Sequence, residues 1–523
     1  MVKKVKNNRL LAVIDVGSSS LRLMIAQMEN KGNIVPLEDL TKPTDFGRDS
    51  FNTGRISAPA INEACEVLKG FVKLMNDYRI KDYRAVATSG LREAENKEYI
   101  LEQIRLRTGL NVEIINVSQE RFMIYKALRH TTPDFLKYQE EGVMIANMSS
   151  GGLGVSAYSR GVLRFREYFK VGSLRLWENL SDMEKLTLDF PRVMEEFLES
   201  QIYSIQAHIK EYPLQNVIGI GSALPAISRL CAQVHAFEAG STIKKDALHV
   251  LFLKMQKMTV DQMVGEFDLT RTEVENLLPT VIIFNKMLTL TQAEEILIAP
   301  VALRHGLLAD MGEKFWEIQH KKYFIDDVIS SVWYLGQKFG IDIPHCQKVQ
   351  SLALDIFDGI KKVHKLGERE RFYLLVVAIL HDIGRYINVN QHHIQSYNII
   401  KSIDIIGFSN RELELMANIA RYHSGEIPRP SHENYTHLSE MDKIIVSKLA
   451  AMMKLAEAMD ISHKQRINKL SIEKAGRDLI FRVETSAEVL LEEWNFKNGA
   501  GFFEEVVGYR PVFKRNEKIQ IKG

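Results

Sequence analysis

Asp15 is the first residue whose setting points to chemistry. It lies near the end of the apolar run Leu10–Val16, just before Gly17-Ser18-Ser19-Ser20. Glycine and small hydroxyl residues let backbone N–H groups approach an anion. An acid beside such a turn can orient a metal ion on bound phosphate. The same residues also suit an ordinary polar hairpin turn. Further along, strand-like Tyr83–Ala87 runs into Thr88-Ser89-Gly90-Leu91-Arg92-Glu93-Ala94-Glu95-Asn96. A strand, small residues and a helix start suit phosphate binding, and Arg92 adds the planar multidentate donor that phosphate oxygens favour. A plain helix cap reads equally well there. Glu120 follows strand-like Val112–Asn116 in Val117-Ser118-Gln119-Glu120. At that junction it can position an attacking water or simply favour a helix N-terminus.

The elements that would hold these residues form a repeated plan. Val143–Met148 is a second apolar strand, Ser149-Ser150-Gly151-Gly152-Leu153-Gly154 a second small-residue turn, and Val155–Tyr158 a returning strand. This repeats strand Leu10–Val16, its turn and the returning strand Leu21–Met28, and predicts a duplicated architecture with a ligand between the halves. Phe51–Met75 has helical spacing through Ile61, Cys65, Leu68 and Val72. Met183–Lys210 reads as two helices broken near Phe190-Pro191, and Asn216–Ile220 as a strand entering the turn Gly221-Ser222-Ala223.

Composition sets the frame. The chain has 523 residues, enough for three or four domains of ordinary size. A net charge of +2 argues against a global nucleic-acid-binding field. Cys65, Cys231 and Cys346 are too scattered for a disulfide framework or a zinc knuckle, which fits a reducing cytoplasm. No apolar run has the length and lack of charge of a membrane span.

Taken together, these motifs resemble the exopolyphosphatase/guanosine pentaphosphate phosphatase family. The likeness rests on Asp15-Val16-Gly17-Ser18-Ser19-Ser20, on Val86–Asn96, on Gln119-Glu120 at the family's acidic pair, on Gly172–Leu176 and on Arg304-His305-Gly306-Leu307. It implies an α/β fold: a duplicated actin-like (ASKHA, ribonuclease H-like) ATPase fold, then an all-helical HD-like domain and a small C-terminal α+β domain. The corresponding bounds are 1–138, 139–319, 320–465 and 466–523. It implies metal-dependent release of terminal phosphate from inorganic polyphosphate or pppGpp, with Mg2+ or Mn2+ as cofactor and a homodimer as the assembly. Glu120 takes the place of the general base, and Arg92 and Asp15 stabilise the transferred phosphoryl group. Gly17, Ser18, Ser19, Ser20, Ser149, Ser150, Gly151 and Gly152 cradle phosphate; Asp15 and Asn147 hold the metal.

The repeated turn departs from the family pattern Asp-Ile-Gly-Gly-Gly-Ser-Thr-Glu. Asn147 replaces its acid and Gly154 its glutamate, so two negative charges are gone. Gly221-Ser222-Ala223 replaces Gly-Gly-Thr, and His305 replaces a glutamate. A catalytically weak or inactive polyphosphate- or nucleotide-binding regulator is therefore the rival reading.

Beyond residue 320 the chain reads mainly as helices. His381-Asp382 lies at the end of the apolar run Arg371–Leu380; with His364, His423 and Asp460 it offers donors for a second metal site. The resemblance puts Glu where Asp382 stands, which moves this chain toward a true His-Asp pair. His392, His393, Lys401, Arg421 and His423 alternatively contact a long polyanion. Asp478–Val483 and Val489–Trp494 read as strands, and the basic tail Lys514–Gly523 as frayed.

Overall fold

A computed structural model describes residues 9–29, 34–209, 212–234, 240–316 and 321–516. The chain divides into two compact units, one ending at Phe324 and the other beginning at Ile325.

The first unit is built on two sheets. Strands Arg9–Val16 (β1), Ser20–Met28 (β2), Ile34–Pro43 (β3), Asp82–Ala87 (β4) and Val112–Ile114 (β5) run in the order β3-β2-β1-β4-β5. Strands Val143–Met148 (β6), Leu153–Ser159 (β7), Val162–Phe169 (β8), Asn216–Ile220 (β9), Thr242–Lys244 (β10) and Glu295–Ile298 (β11) run in the order β10-β11-β9-β6-β7-β8. In each sheet two antiparallel hairpin connections lead back to the central strand, and the next pairings are parallel. The duplication predicted from the two turns is therefore present in the topology.

Alternation along the central strands explains where the site lies. β1 and β6 are buried on both faces, so both read as near-continuous apolar runs. Ala12, Ile14 and Val16 enter a core under the helix Ala58–Asp77. Leu11 and Val13 face the other way, into a core that also takes Val143 and Ile145 of β6. This shared core is filled by Met123, Ala127 and Leu128 of the helix Val117–Thr131 and by Leu307 and Leu308 of the helix Leu303–Trp316. Side chains two residues apart share a face of a strand. Asp15 and Asn147 therefore continue the two faces that meet between the sheets.

Local chemistry explains the remaining boundaries. The single helix expected over Phe51–Met75 is two, Phe46–Thr53 and Ala58–Asp77. Gly54 ends the first with φ +73°, a conformation cheap only for glycine, and the Ser57 side chain caps the second. Gly306 would place a Cβ 1.9 Å from the Met123 carbonyl oxygen. Its lack of a side chain is what lets the two central helices touch.

The second unit contains, among the described residues, seven helices longer than one turn, from Lys321–Lys338, which begins just before the boundary, to the C-terminal Leu490–Val507. It also contains a sheet of Ile467–Ala475 (β12), Asp478–Thr485 (β13) and Arg510–Asn516 (β14), in that order. Val489–Trp494, expected as a strand, instead starts the helix Leu490–Val507. Phe496, Gly499 and Phe503 give it a buried face at helical spacing, and that long-range packing overrides the local β-like pattern. The expected third and fourth domains fall within this one unit: Lys348 donates to the Ile467 carbonyl, and the Ser462 hydroxyl donates to Glu492. Lys514 to Asn516 continue β14, while residues 517–523 and the basic residues 1–8 lie outside the described residues.

Candidate active site

A cavity of about 650 Å³ opens between the two sheets of the first unit. Asp15, the first turn, Ser149 and Ser150 of the second, Glu120, Asn147 and the segment Ala299–His305 line it, whereas Gly151, Gly152 and Arg92 do not. The turns face each other closely enough for the Ser19 and Ser150 hydroxyls to hydrogen-bond at 2.8 Å.

Each turn is locked from outside. In the first, the Gly17 N–H donates to the Ser20 carbonyl at 3.0 Å, and the Gly47 N–H donates to Ser18 at 2.7 Å. The Ser18 hydroxyl meets that of Ser89 at 2.8 Å. In the second, the Ser149 N–H donates to the Gly152 carbonyl at 2.9 Å. The start of the helix Ser173–Glu184 then clamps it: Ser173 and Arg175 N–H groups donate to Ser149 and Ser150 carbonyls. The Arg175 side chain donates to the Gly151 carbonyl and to Glu93, and lies 3.8 Å from the Phe51 ring centroid. A Cβ on Gly151 would fall 2.1 Å from Ser89 Oγ, and one on Gly172 would fall 2.2 Å from the Gly152 nitrogen. These glycines allow close approach of backbone to neighbour.

Glu120 is presented by the first turn of the helix Val117–Thr131. Asn116 caps that helix, and Gln119 completes the capping box. The Gln119 side chain accepts from the Asn116 N–H at 3.1 Å, so this member of the acidic-pair position fixes the helix start. Arg92 donates to the Ile115 carbonyl at 2.8 Å and to Glu120 Oε2 at 3.2 Å. Burial pushes the Glu120 carboxyl above its ordinary range; the Asp15 charge adds to this, and Arg92 opposes it.

Two of the buried atoms that lack hydrogen-bond partners among the described residues belong to residues singled out from the sequence. They are Asp15 Oδ1, an acceptor, and Arg92 Nη2, a donor. The other Asp15 oxygen accepts from Arg22 at 3.2 Å. Buried unsatisfied polar atoms are costly, and an acceptor and a donor beside facing turns match a cation and an anion.

Three features were not evident in the sequence. Arg121 fills the space beyond Gly154: a Cβ there would lie 3.4 Å from Arg121 Nε. The position that carries a glutamate in the family pattern is thus occupied by a positive charge. Tyr168 of β8 reaches back so that its Oη would be 2.2 Å from a Cβ on Gly152. Burial, followed by the Glu120 charge, raises its phenol well above the ordinary range and keeps it a neutral donor. His305 accepts the Ala302 N–H at Nδ1, and burial lowers its pKa.

In the second unit, His381, Asp382 and His423 come together. His364 does not join them: its Nε2 is 2.8 Å from the Phe357 carbonyl, and its Nδ1 accepts from the Leu366 N–H. Both nitrogens are engaged by local backbone. Asp460 contacts His345 Nδ1 at 2.9 Å and accepts from Gln465, so its oxygens serve neighbours. His345 and Glu457 join the group, and His392 contacts His423. Sequence spacing missed these residues because they arrive on separate helices. His423 is fully buried and Lys401 pairs with Glu414, which takes both out of an exposed polyanion track.

The fold of the first unit defines a duplicated actin-like α/β protein with a polar cleft between its two sheets. The chain matches the Ppx/GppA phosphatase family model over residues 11–315 and the model of that family's domain III over residues 329–497. It belongs to the Ppx/GppA phosphatase family. The guanosine-5'-triphosphate,3'-diphosphate pyrophosphatase of Aliivibrio fischeri strain MJ11 is 22% identical over 481 residues, covering 89% of this chain and 92% of that protein. A crystal structure of an exopolyphosphatase from Cytophaga hutchinsonii is 16% identical with TM-score 0.51, covering 58% of this chain and 98% of that one. An Aquifex aeolicus member of the family is 23% identical with TM-score 0.49, covering 59% and 99%. No described helix is long and apolar enough to cross a membrane.

Proposed function

We propose that the first unit hydrolyses terminal phosphoanhydride bonds, releasing phosphate from inorganic polyphosphate or pppGpp. The observation that carries this reading is that Glu120 bonds to Arg92 and feels the charge of Asp15, while Arg92 Nη2 and Asp15 Oδ1 are both buried and unsatisfied among the described residues. Glu120 orients the attacking water and takes its proton, and its raised affinity for protons suits a base. Arg92 stabilises charge on the transferred phosphoryl oxygens. The N–H groups of Gly17 and Ser149 are used within their own turns. Cradling the phosphate therefore falls to the Ser18, Ser19, Ser150 and Gly151 segments. Tyr168 supplies a neutral hydroxyl donor beside the second turn. Asp15, with the amide oxygen of Asn147, would hold Mg2+ or Mn2+, and the bound ion would neutralise phosphate charge.

A second reading, a phosphate-chain or nucleotide sensor with slow turnover, is favoured by one feature. Asn147 removes a charge, Gly154 removes another, and Arg121 brings a cation to the vacated space. Incubation of the purified chain with polyphosphate, pppGpp or ATP, each with Mg2+ or Mn2+, separates the two. Metal-dependent phosphate release that is lost in Glu120→Gln supports the hydrolase. Tight binding without release supports the sensor. Family membership also supports a homodimer acting in the cytoplasm on these polyanions, with neither membrane nor specific nucleic acid as partner; sedimentation velocity checks the dimer.

A further inference from the structure

The second unit holds a buried group of imidazoles and carboxylates that the phosphatase reading does not use. His345, His381 and His423 are fully buried; Asp382 is 3% and Glu457 4% exposed. Four helices or helix ends deliver them, with His392 at the start of a fifth.

The ring nitrogens have an ordered polarity. Nδ1 of His381 lies 2.9 Å from the Ala378 carbonyl, that of His392 2.8 Å from Val389, and that of His423 2.5 Å from Ala420. A carbonyl oxygen only accepts, so each of these rings carries its proton on Nδ1. His345 Nδ1 meets the Asp460 carboxylate at 2.9 Å. Every neutral ring therefore turns an Nε2 lone pair inward. Tying Nδ1 to a carbonyl or carboxylate is how proteins orient metal-binding histidines.

Those lone pairs face other acceptors. His345 Nε2 is 3.3 Å from His381 Nε2, and each lies 3.1 Å from Glu457 Oε2. Alongside, His392 Nε2 is 3.2 Å from His423 Nε2, and Asp382 Oδ1 lies 3.4 and 3.7 Å from these two nitrogens. Asp382 Oδ1 is buried and makes no hydrogen bond among the described residues. Acceptors packed against acceptors repel unless something positive lies between them. Protonating the rings would bury several imidazolium charges together, whereas a divalent cation in each triangle satisfies all the lone pairs. Ligands about 2.1 Å from an ion lie about 3.0–3.4 Å apart at the edges of an octahedron or tetrahedron; every edge of the two triangles falls in that range except His423–Asp382, which would close by a few tenths of an ångström.

We infer that the helical unit binds divalent first-row transition cations in two adjoining positions, one faced by His345, His381 and Glu457 and the other by Asp382, His392 and His423. Imidazole-rich sites with carboxylates favour Mn2+, Fe2+, Co2+ or Zn2+ over Mg2+ and Ca2+. The first triangle is closed to solvent. The second is reached past the His392 side chain, 14% exposed, and Arg385, 39% exposed. Arg385 Nε donates to Asp382 Oδ2 at 2.5 Å, leaving Oδ1 for the ion.

The test uses the full chain. Protein stripped with chelator is loaded with Zn2+, Mn2+ or Co2+ in excess Mg2+, desalted, and assayed for bound metal by mass spectrometry. Two equivalents are expected, with Co2+ giving visible ligand-field bands of nitrogen–oxygen coordination. His381→Ala and Asp382→Asn should each lose at least one equivalent and the metal-dependent rise in melting temperature, while circular dichroism shows both variants folded. If the paired lone-pair arrangement belongs to the polypeptide alone, the wild-type chain retains no transition metal, and that outcome overturns the site. A single equivalent overturns the second position. Glu120→Gln should keep both ions, so loss of phosphatase activity and loss of this centre are read separately.

Discussion

Glu120 combines a raised proton affinity with an arginine partner and a nearby acid. Replacing it by glutamine should lower phosphate release by about 10²–10⁴-fold, the usual worth of a positioned base. Equilibrium binding of polyphosphate should survive, which separates a lost base from a lost pocket. Arg92→Met should lower kcat/KM by about 10²–10³-fold, on the scale of losing one preorganised donor. Asn147, Gly154 and Arg121 make the opposite prediction. The combined variant Asn147→Asp, Gly154→Glu and Arg121→Ala restores two acids and clears the cation. It should raise metal-dependent turnover by about tenfold or more, measured as initial phosphate release against the parent chain. A drop in turnover would show that Arg121 itself serves the reaction.

Pairing at the level of elements makes the two central helices one structural piece. Gly306 touches the Met123 backbone, and Lys126 donates to Asp310 and Glu313 at 2.8 Å each. Gly306→Ala forces these helices apart and should destabilise the unit by about 1–3 kcal/mol, read from urea unfolding. Glu313 gives the pH dependence. Burial alone would raise its carboxyl, but contacts with His130 and Lys126 outweigh this and hold it below the usual value of 4.5. A lowered folded value means the unfolded chain binds the proton more readily. The stabilisation is fully present above the unfolded value and is lost as pH falls through the folded one. Glu313→Gln should thus cost about 1–3 kcal/mol at pH 7, with the gap from wild type shrinking in acid. The repeated strand–turn–strand plan and the helix bearing Glu120 were legible in the sequence, because continuous apolar runs ended in small residues; the order of strands in each sheet was not. The C-terminal helix was not, since Val489–Trp494 carries its helical face only in combination with Phe496, Gly499 and Phe503.

Across the whole chain, the two units should answer to different ligands. Inorganic phosphate with Mg2+ should slow amide exchange around Ser18–Ser20 and Ser149–Gly151. Zn2+ should slow it in the helices Ile343–Gly359 and Glu368–Leu380. Binding at a hundredfold excess over Kd stabilises the native state by about 2.7 kcal/mol, ample for either readout. Protection that rose in the first unit with Zn2+ alone would contradict this division.

By itself the sequence determined the family, the duplicated plan and the positions of Asp15, Arg92 and Glu120. Such information is local: a buried strand, a turn that needs small residues and a helix start are each written in a few consecutive positions. Only the tertiary structure decided which side chain faces which. Arg121 beside Gly154 and Tyr168 over Gly152 are contacts between separate elements, and no spacing rule encodes them. Likewise His345 and Glu457, rather than His364 and Asp460, turn inward beside His381, because backbone and side-chain partners elsewhere take up the other two residues.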